Sequence, residues 1–216
     1  MEKIKAIIFD FDGVVVDSES LYEETAHELF RQYGIIATEK DWQSFRGLTA
    51  KDFFDNLIHR FALPVTPEEL ATADHKLLKQ KFRKNLSYIP GFQSFLKRVK
   101  KKYKTALVTS TDTALLNWIF ENTPVHRDFD LIITADDVDQ HKPHPAPFLA
   151  VAKKLQICPT EMLVIEDSVN GVVSAKRAGS KVVGFLTSFG TSELKEADYH
   201  AANYQELREI IQKHDY

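Results

Sequence analysis

The stretch AIIFDFDGVVVDSES, residues 6–20, opens on four apolar residues, Ala6-Ile7-Ile8-Phe9. It then sets Asp10 and Asp12 one residue apart, directly before Gly13. A short apolar run rich in isoleucine has the composition of a strand buried on both faces of a parallel sheet. Such a strand has no place for two carboxylates in its middle, so the acids mark its end. Strand side chains alternate between faces, and residues two apart share one. Asp10 and Asp12 can therefore serve a single site, with Gly13 letting the chain turn away. Taken alone, Asp-x-Asp-Gly is also an ordinary turn sequence, so the rest of the chain has to decide between the two.

Four further short apolar runs follow, at Thr105–Val108, Leu131–Ile133, Met162–Ile165 and Val182–Phe185. Amphipathic helical patterns separate or flank them at Phe92–Tyr103, Thr113–Glu121, Ala146–Leu155 and Asn170–Ala178. This rhythm predicts an α/β fold, a doubly wound parallel sheet of Rossmann-like type. The first strand breaks it. From Val16 to about Ser87 the periodicity is helical: Leu21, Thr25, Ala26, Leu29 and Phe30 fit one face, and Phe53, Phe54, Leu57 and Ile58 another. A third helix is expected around Leu70, Leu77 and Leu78, begun by Pro67 and capped by Thr66. The expected organisation is an α/β core from residues 1–15 and 88–216, with a helical cap inserted at 16–87.

In open parallel sheets ligands gather at the carboxyl ends of the strands. The first run ends in Asp10 and Asp12, the second in Thr109-Ser110-Thr111, and the fourth in Glu166-Asp167-Ser168. The third leads on to Lys142. Each group has a bland reading as a turn, a helix cap or a surface lysine. Four strand ends carrying this complement together point to one cleft. Clustered carboxylates suit a hard divalent cation such as Mg²⁺, and a carboxylate can attack phosphorus. A metal and a lysine would offset the repulsion between two anions.

These residues resemble the motifs of the haloacid dehalogenase superfamily. Asp10-Phe11-Asp12-Gly13-Val14-Val15-Val16-Asp17-Ser18 is similar to its first motif, Thr109 after Leu107-Val108 to its second and Lys142-Pro143 to its third. Val164 through Gly179 is similar to the fourth. The helical insert resembles the cap of the subgroup that contains β-phosphoglucomutase and many sugar phosphatases. The resemblance implies that Asp10 is nucleophile and metal ligand, and that Asp12 gives its backbone carbonyl to Mg²⁺ and its side chain to acid–base work. It implies Asp167 as a further ligand, Glu166 as a ligand or supporting group, and Thr109, Ser110 and Lys142 as the phosphoryl-binding set. The loop Arg46–Lys51 would face the substrate, with Arg46 gripping a hydroxyl or a second phosphate. Mutase relatives carry an arginine where this chain has Ala50 and a histidine where it has Tyr22. Hydrolysis is therefore expected over phosphohexomutase activity, and a dehalogenase needs neither the second aspartate nor a metal. A non-catalytic binding protein on the same fold is the rival from another class.

Composition agrees with an enzyme of small metabolites. Twenty-eight basic and 31 acidic residues give a net charge of −3, which excludes a general nucleic-acid binder. No apolar run approaches the roughly 20 residues that span a bilayer. The single cysteine, Cys158, allows no internal disulfide, and the amino-terminal run does not read as a secretory leader. A cytoplasmic monomer acting on a small phosphorylated metabolite is the expectation. His141 and His144 flank Lys142 at a spacing unsuited to a zinc pair and are expected to line the entrance or sit in solvent.

Overall fold

The computed structural model of the protein describes residues 3–45 and 50–213. Six strands form one parallel sheet. They are β1 (Ala6–Phe9), β4 (Lys104–Val108), β5 (Leu131–Ile133), β6 (Met162–Glu166), β7 (Lys181–Phe185) and β8 (Tyr199–Ala201), in the order β5-β4-β1-β6-β7-β8. From β1 the chain steps outward through β4 and β5, then returns to the other side of β1 and steps out through β6, β7 and β8. The reversal flanks β1, where such sheets form their ligand crevice.

The two faces of the strands separate by period two. Ile7, Phe9, Leu107, Leu163, Ile165, Val183 and Phe185 belong to one apolar cluster. It is shared with the helices α5 (Phe92–Val99), α6 (Thr113–Asn122) and α9 (Tyr204–Lys213). Ala6, Ile8, Ala106, Val108, Met162, Val164 and Val182 belong to a second cluster. That one packs on α7 (Ala146–Leu155) and α8 (Val169–Ala178). Burial on both faces accounts for the unbroken apolar runs seen in the sequence.

Between β2 (Val16–Asp17) and β3 (Ser87–Tyr88), which pair antiparallel, run the helices α1 (Glu19–Gln32), α2 (Glu39–Phe45), α3 (Ala50–Phe61) and α4 (Pro67–Asn85). They bury an apolar cluster of their own around Leu29, Phe30, Phe54, Leu57 and Leu70. Thr66 and Glu69 close a reciprocal capping box at the start of α4, with Pro67 in its first turn. The strand β8, the ribbon β2–β3 and α9 are absent from the sequence-based expectation. β8 is a three-residue edge strand without an isoleucine–valine run, and β2 and β3 have two residues each. No helix among the described residues is long and apolar enough to cross a membrane.

Candidate active site

Asp10 continues the line of β1, donating its N–H to Ile165 O at 3.0 Å. Beyond it the chain folds back: the N–H groups of Val15 and Val16 both donate to Phe11 O, and Gly13 N–H donates to Val16 O. Gly13 sits at φ 72°, and a Cβ there would meet Asp167 Oδ2 at 1.9 Å. Only glycine satisfies both the turn and this approach. The turn returns Ser18 beneath Asp12, whose Oδ1 accepts from Ser18 Oγ at 2.6 Å and whose Oδ2 accepts from Thr111 Oγ1 at 3.2 Å. Tyr22 of α1 also hydrogen-bonds this carboxylate. Burial nevertheless raises the Asp12 pKa, against these three stabilising bonds.

Lys142 lies buried between two carboxylates. Its Nζ is 2.6 Å from Asp10 Oδ1 and 2.5 Å from Glu166 Oε1, and it also donates to Val108 O at 3.3 Å. Burial alone would lower the ammonium pKa, but Asp10 and Glu166 overcome that and raise it. Glu166 is fully buried. Its Oε2 accepts from the N–H and the Oγ of Ser168 at 3.1 and 2.9 Å. The first turn of α8 makes room for it: a Cβ at Gly171 would lie 1.9 Å from the Glu166 carboxyl. Asp167 points the other way, accepting from the Ser188 hydroxyl and, at 3.4 Å, from Thr187 Oγ1.

Asp10, Glu166 and Asp167 each bring one carboxylate oxygen within 4.8 Å of the others. Burial pushes Asp10 well above the usual carboxylate range; Lys142 opposes this, while Glu166 and Asp167 reinforce it. Burial and then Glu166 push Asp167 up to about 8. Three carboxylates face one ammonium, a net negative centre of oxygen donors that can hold a hard divalent cation.

Next to Asp12 opens a cavity of about 630 Å³ between α1–α4 and the loop after β4. Ser110, Thr111 and Asp112 form its floor, and Tyr22, Trp42, Phe45, Phe53 and Phe54 give it an aromatic wall. The helices are fastened across its edge: Lys79 and Arg83 of α4 lie over the Trp118 ring of α6, and Arg83 donates to Asn122 at 3.2 Å. Asp74 of α4 lines the cavity as well, and burial pushes its pKa to about 6. A folded-state value above the unfolded one of about 3.9 means that the native state binds the proton more tightly. The ionised group then costs stability above about pH 6, and the cost disappears below about pH 4. Asp74→Asn, neutral at every pH, should raise the stability by up to about 3 kcal/mol at about pH 8, at about 1.4 kcal/mol for each pH unit between the two values, a melting temperature up to about 6–12 °C higher. No change is expected near pH 4, and parallel melting curves at the two pH values check it.

The chain matches the haloacid dehalogenase-like hydrolases over residues 7–185. It belongs to that family. It is 36% identical to the YhcW protein of Bacillus subtilis over 83% of this chain and 82% of that one. It is 32% identical to a phosphorylated carbohydrates phosphatase of Thermotoga maritima, over 86% of this chain and 87% of the relative. Among solved structures, a candidate β-phosphoglucomutase from Thermotoga maritima superposes with a TM-score of 0.79 at 29% identity. The match covers 97% of this chain and 99% of that one.

Within this haloacid dehalogenase-like hydrolase, the six strand-end residues singled out in the sequence lie around the crevice. Asp10, Asp12, Thr109, Lys142, Glu166 and Asp167 follow or end β1, β4 and β6 or reach into the site from the segment before α7. Thr109 is buried, its Oγ1 accepting from Thr111 N–H at 3.0 Å. Ser110 is exposed and lines the cavity. His141 and His144 are at the surface. Arg46 lies outside the described residues. Sequence reasoning missed Thr187, Ser188 and Asp74; it placed Thr111 at a strand end and Ser18 in the first motif but gave neither a role. Ser18 had a local signal, since a tight turn after Gly13 returns the chain. Ser188 had none, because only the β6–β7 pairing carries it to Asp167.

Proposed function

We propose that this family member is a Mg²⁺-dependent phosphatase of a small phosphorylated metabolite, a sugar phosphate in the first instance, working through an aspartyl phosphate. The observation that carries the reading is the juxtaposition of Asp10, held by Lys142, with Asp12, an independently hydrogen-bonded carboxylate of raised pKa beside an open cavity. The Thermotoga maritima phosphatase of phosphorylated carbohydrates supports the substrate class.

Asp10 attacks phosphorus, forming the Asp10 Oδ–P bond as the P–O bond to the leaving alcohol breaks, while protonated Asp12 gives its proton to the departing oxygen. Asp12, now ionised, takes a proton from a water that attacks the aspartyl phosphate. Inorganic phosphate leaves, and the Asp10 carboxylate and Asp12 acid are restored. Lys142, Thr109 and Ser110 hold the phosphoryl oxygens. Asp10, Asp167 and the Asp12 backbone carbonyl would hold Mg²⁺, with Glu166 either joining them or, given its bonds to Lys142 and Ser168, fixing the lysine. Bound there, the ion supplies charge stabilisation for the phosphoryl group. The helices of residues 16–87 act as a cap over a core of residues 1–15 and 88–216, excluding bulk water. Among the described residues the large exposed apolar side chains are few, Ile36, Leu149 and Val169, which supports a monomer; the cytoplasm is its proposed location.

Phosphate release from a panel of phosphorylated metabolites, with Mg²⁺ and with excess chelator, tests the proposal. Chelation should abolish release and Mg²⁺ restore it, and Asp167→Ala should raise the Mg²⁺ concentration needed for half-maximal rate. Full activity in excess chelator would sink the metal assignment. The role of Asp12 has its own signature. Asp12→Ala should slow an alkyl phosphate by about 10²–10⁴-fold and an activated aryl phosphate far less, because a good leaving group needs no proton. Equal losses on both esters would remove Asp12 as the acid.

A further inference from the structure

The cavity beside Asp12 is the space left for whatever the phosphoryl group departs from. The polar part consists of the carboxylates of Glu19, Glu23, Asp74 and Asp112 and the imidazoles of His27 and His75, with no lysine or arginine among the described lining residues. Both imidazoles already face acids: His27 Nε2 is 3.7 Å from Glu23, and His75 Nε2 is 3.7 Å from Asp112 Oδ2. The His27 ring also rests against Trp42, 4.4 Å between centroids. Asp74 differs from the rest. Among the described residues it has no hydrogen-bonding or cationic partner, and it stands close enough to the Tyr22 phenol for its charge to be felt there. An acceptor withdrawn from water without a donor is costly, so a ligand that brings a donor to it gains a charge-assisted bond.

Resting on the phosphatase reading, we propose that this cavity selects phosphomonoesters whose leaving group carries no further anionic group. It presents hydroxyl or amino donors to Asp74 and an apolar face to the aromatic wall. A second phosphate or a carboxylate on the leaving group would meet four carboxylates, with Glu19 and Glu23 screened by solvent at the mouth and Asp74 the one most withdrawn from water. A polyol or aminated ring meets the opposite conditions. Its donors find acceptors, and its C–H face packs on Trp42 and the phenylalanines. The selection then acts against bisphosphates and phosphorylated acids, and Asp74 is a specificity-determining residue.

The test uses the full-length protein with Mg²⁺ and matched pairs: a hexose 6-phosphate against the corresponding 1,6-bisphosphate, and glycerol 3-phosphate against 3-phosphoglycerate. The kcat/KM should favour the singly phosphorylated neutral member of each pair by at least about tenfold, and Asp74→Asn should narrow the gap while keeping the side chain's shape. p-Nitrophenyl phosphate, whose leaving group asks little of the cavity, separates the two readings. If it is hydrolysed and the bisphosphate is handled as well as the monophosphate, the inference falls and the phosphatase reading stands, with Arg46 or Lys51 as the second grip. If nothing is hydrolysed, the phosphatase reading falls. Titration of Asp10→Asn with the same pairs, followed by calorimetry, then decides the cavity's charge preference on its own: tighter binding of the bisphosphate overturns it.

Discussion

Asp10→Asn should lower phosphate release by at least about 10⁴-fold, the scale on which loss of a covalent nucleophile acts, without weakening the fold. The amide oxygen is uncharged and cannot form an acyl phosphate. The structure argues that the fold survives. Asp10 is a carboxylate held in a buried cluster of like charges with Glu166 and Asp167, and its own ionisation is opposed there. Neutralising it relieves repulsion, while Lys142 keeps Glu166 as partner. The melting temperature without metal should therefore stay level or rise. Phosphate release, thermal melts and trapping of a phosphoryl mimic, carried out on one preparation, check all three statements. Appreciable turnover in this variant would take Asp10 out of the central role, and a large fall in melting temperature would contradict the electrostatic account.

Lys142→Met should do the reverse, damaging both stability and rate. The variant leaves fully buried Glu166 without its cation. Breaking a buried pair from one side costs about 3–5 kcal/mol, on the order of 10 °C in melting temperature. Loss of a preorganised donor to the phosphoryl oxygens should cost about 10²–10³-fold in kcat. The two effects separate in Lys142→Met/Glu166→Gln. Removing both charges should recover part of the stability, since Glu166 is no longer an uncompensated carboxylate while Asp10 still lacks its cation, and recover none of the rate. If the double variant regains activity, Lys142 serves only to neutralise Glu166. If the single variant melts like the wild type, Glu166 takes up a proton at little cost and the pair is not a structural one.

The legible and the illegible parts of this protein divide along physical lines. The runs Ala6–Phe9, Met162–Ile165 and Val182–Phe185 announced themselves because strands buried on both faces must be apolar throughout, and all lie in the parallel sheet. β8 gave no such signal: Tyr199 and His200 are only partly buried on an outer strand, so nothing forces an apolar run. Thr66-Pro67 announced a helix start because capping is a local matter of one hydroxyl and one backbone N–H. The helix begun at Phe92 ends at Val99, short of its expected end at Tyr103. Lys100 to Lys102 leave it in turns, although Val99 and Tyr103 are both buried and so preserve the apolar spacing.

The same division runs through the site. That two acids follow the first strand, that Gly13 must turn, and that hydroxyls and acids stand at the other strand ends are consequences of where apolar runs stop. Local sequence determines them. Tertiary structure alone decided which of these groups touch. Lys142 reaches Asp10 across 132 residues of chain. Ser188 holds Asp167 from the loop after the neighbouring strand. Glu166 tucks in where Gly171 leaves a space the width of a Cβ. Asp74 comes to the rim of the cavity from a helix whose own periodicity says nothing of a substrate. Which residues carry the chemistry follows from patterns a few residues long. Their partners, and so their pKa values and selectivity, follow from how strands and helices distant in sequence pack, and packing leaves no mark on any one segment.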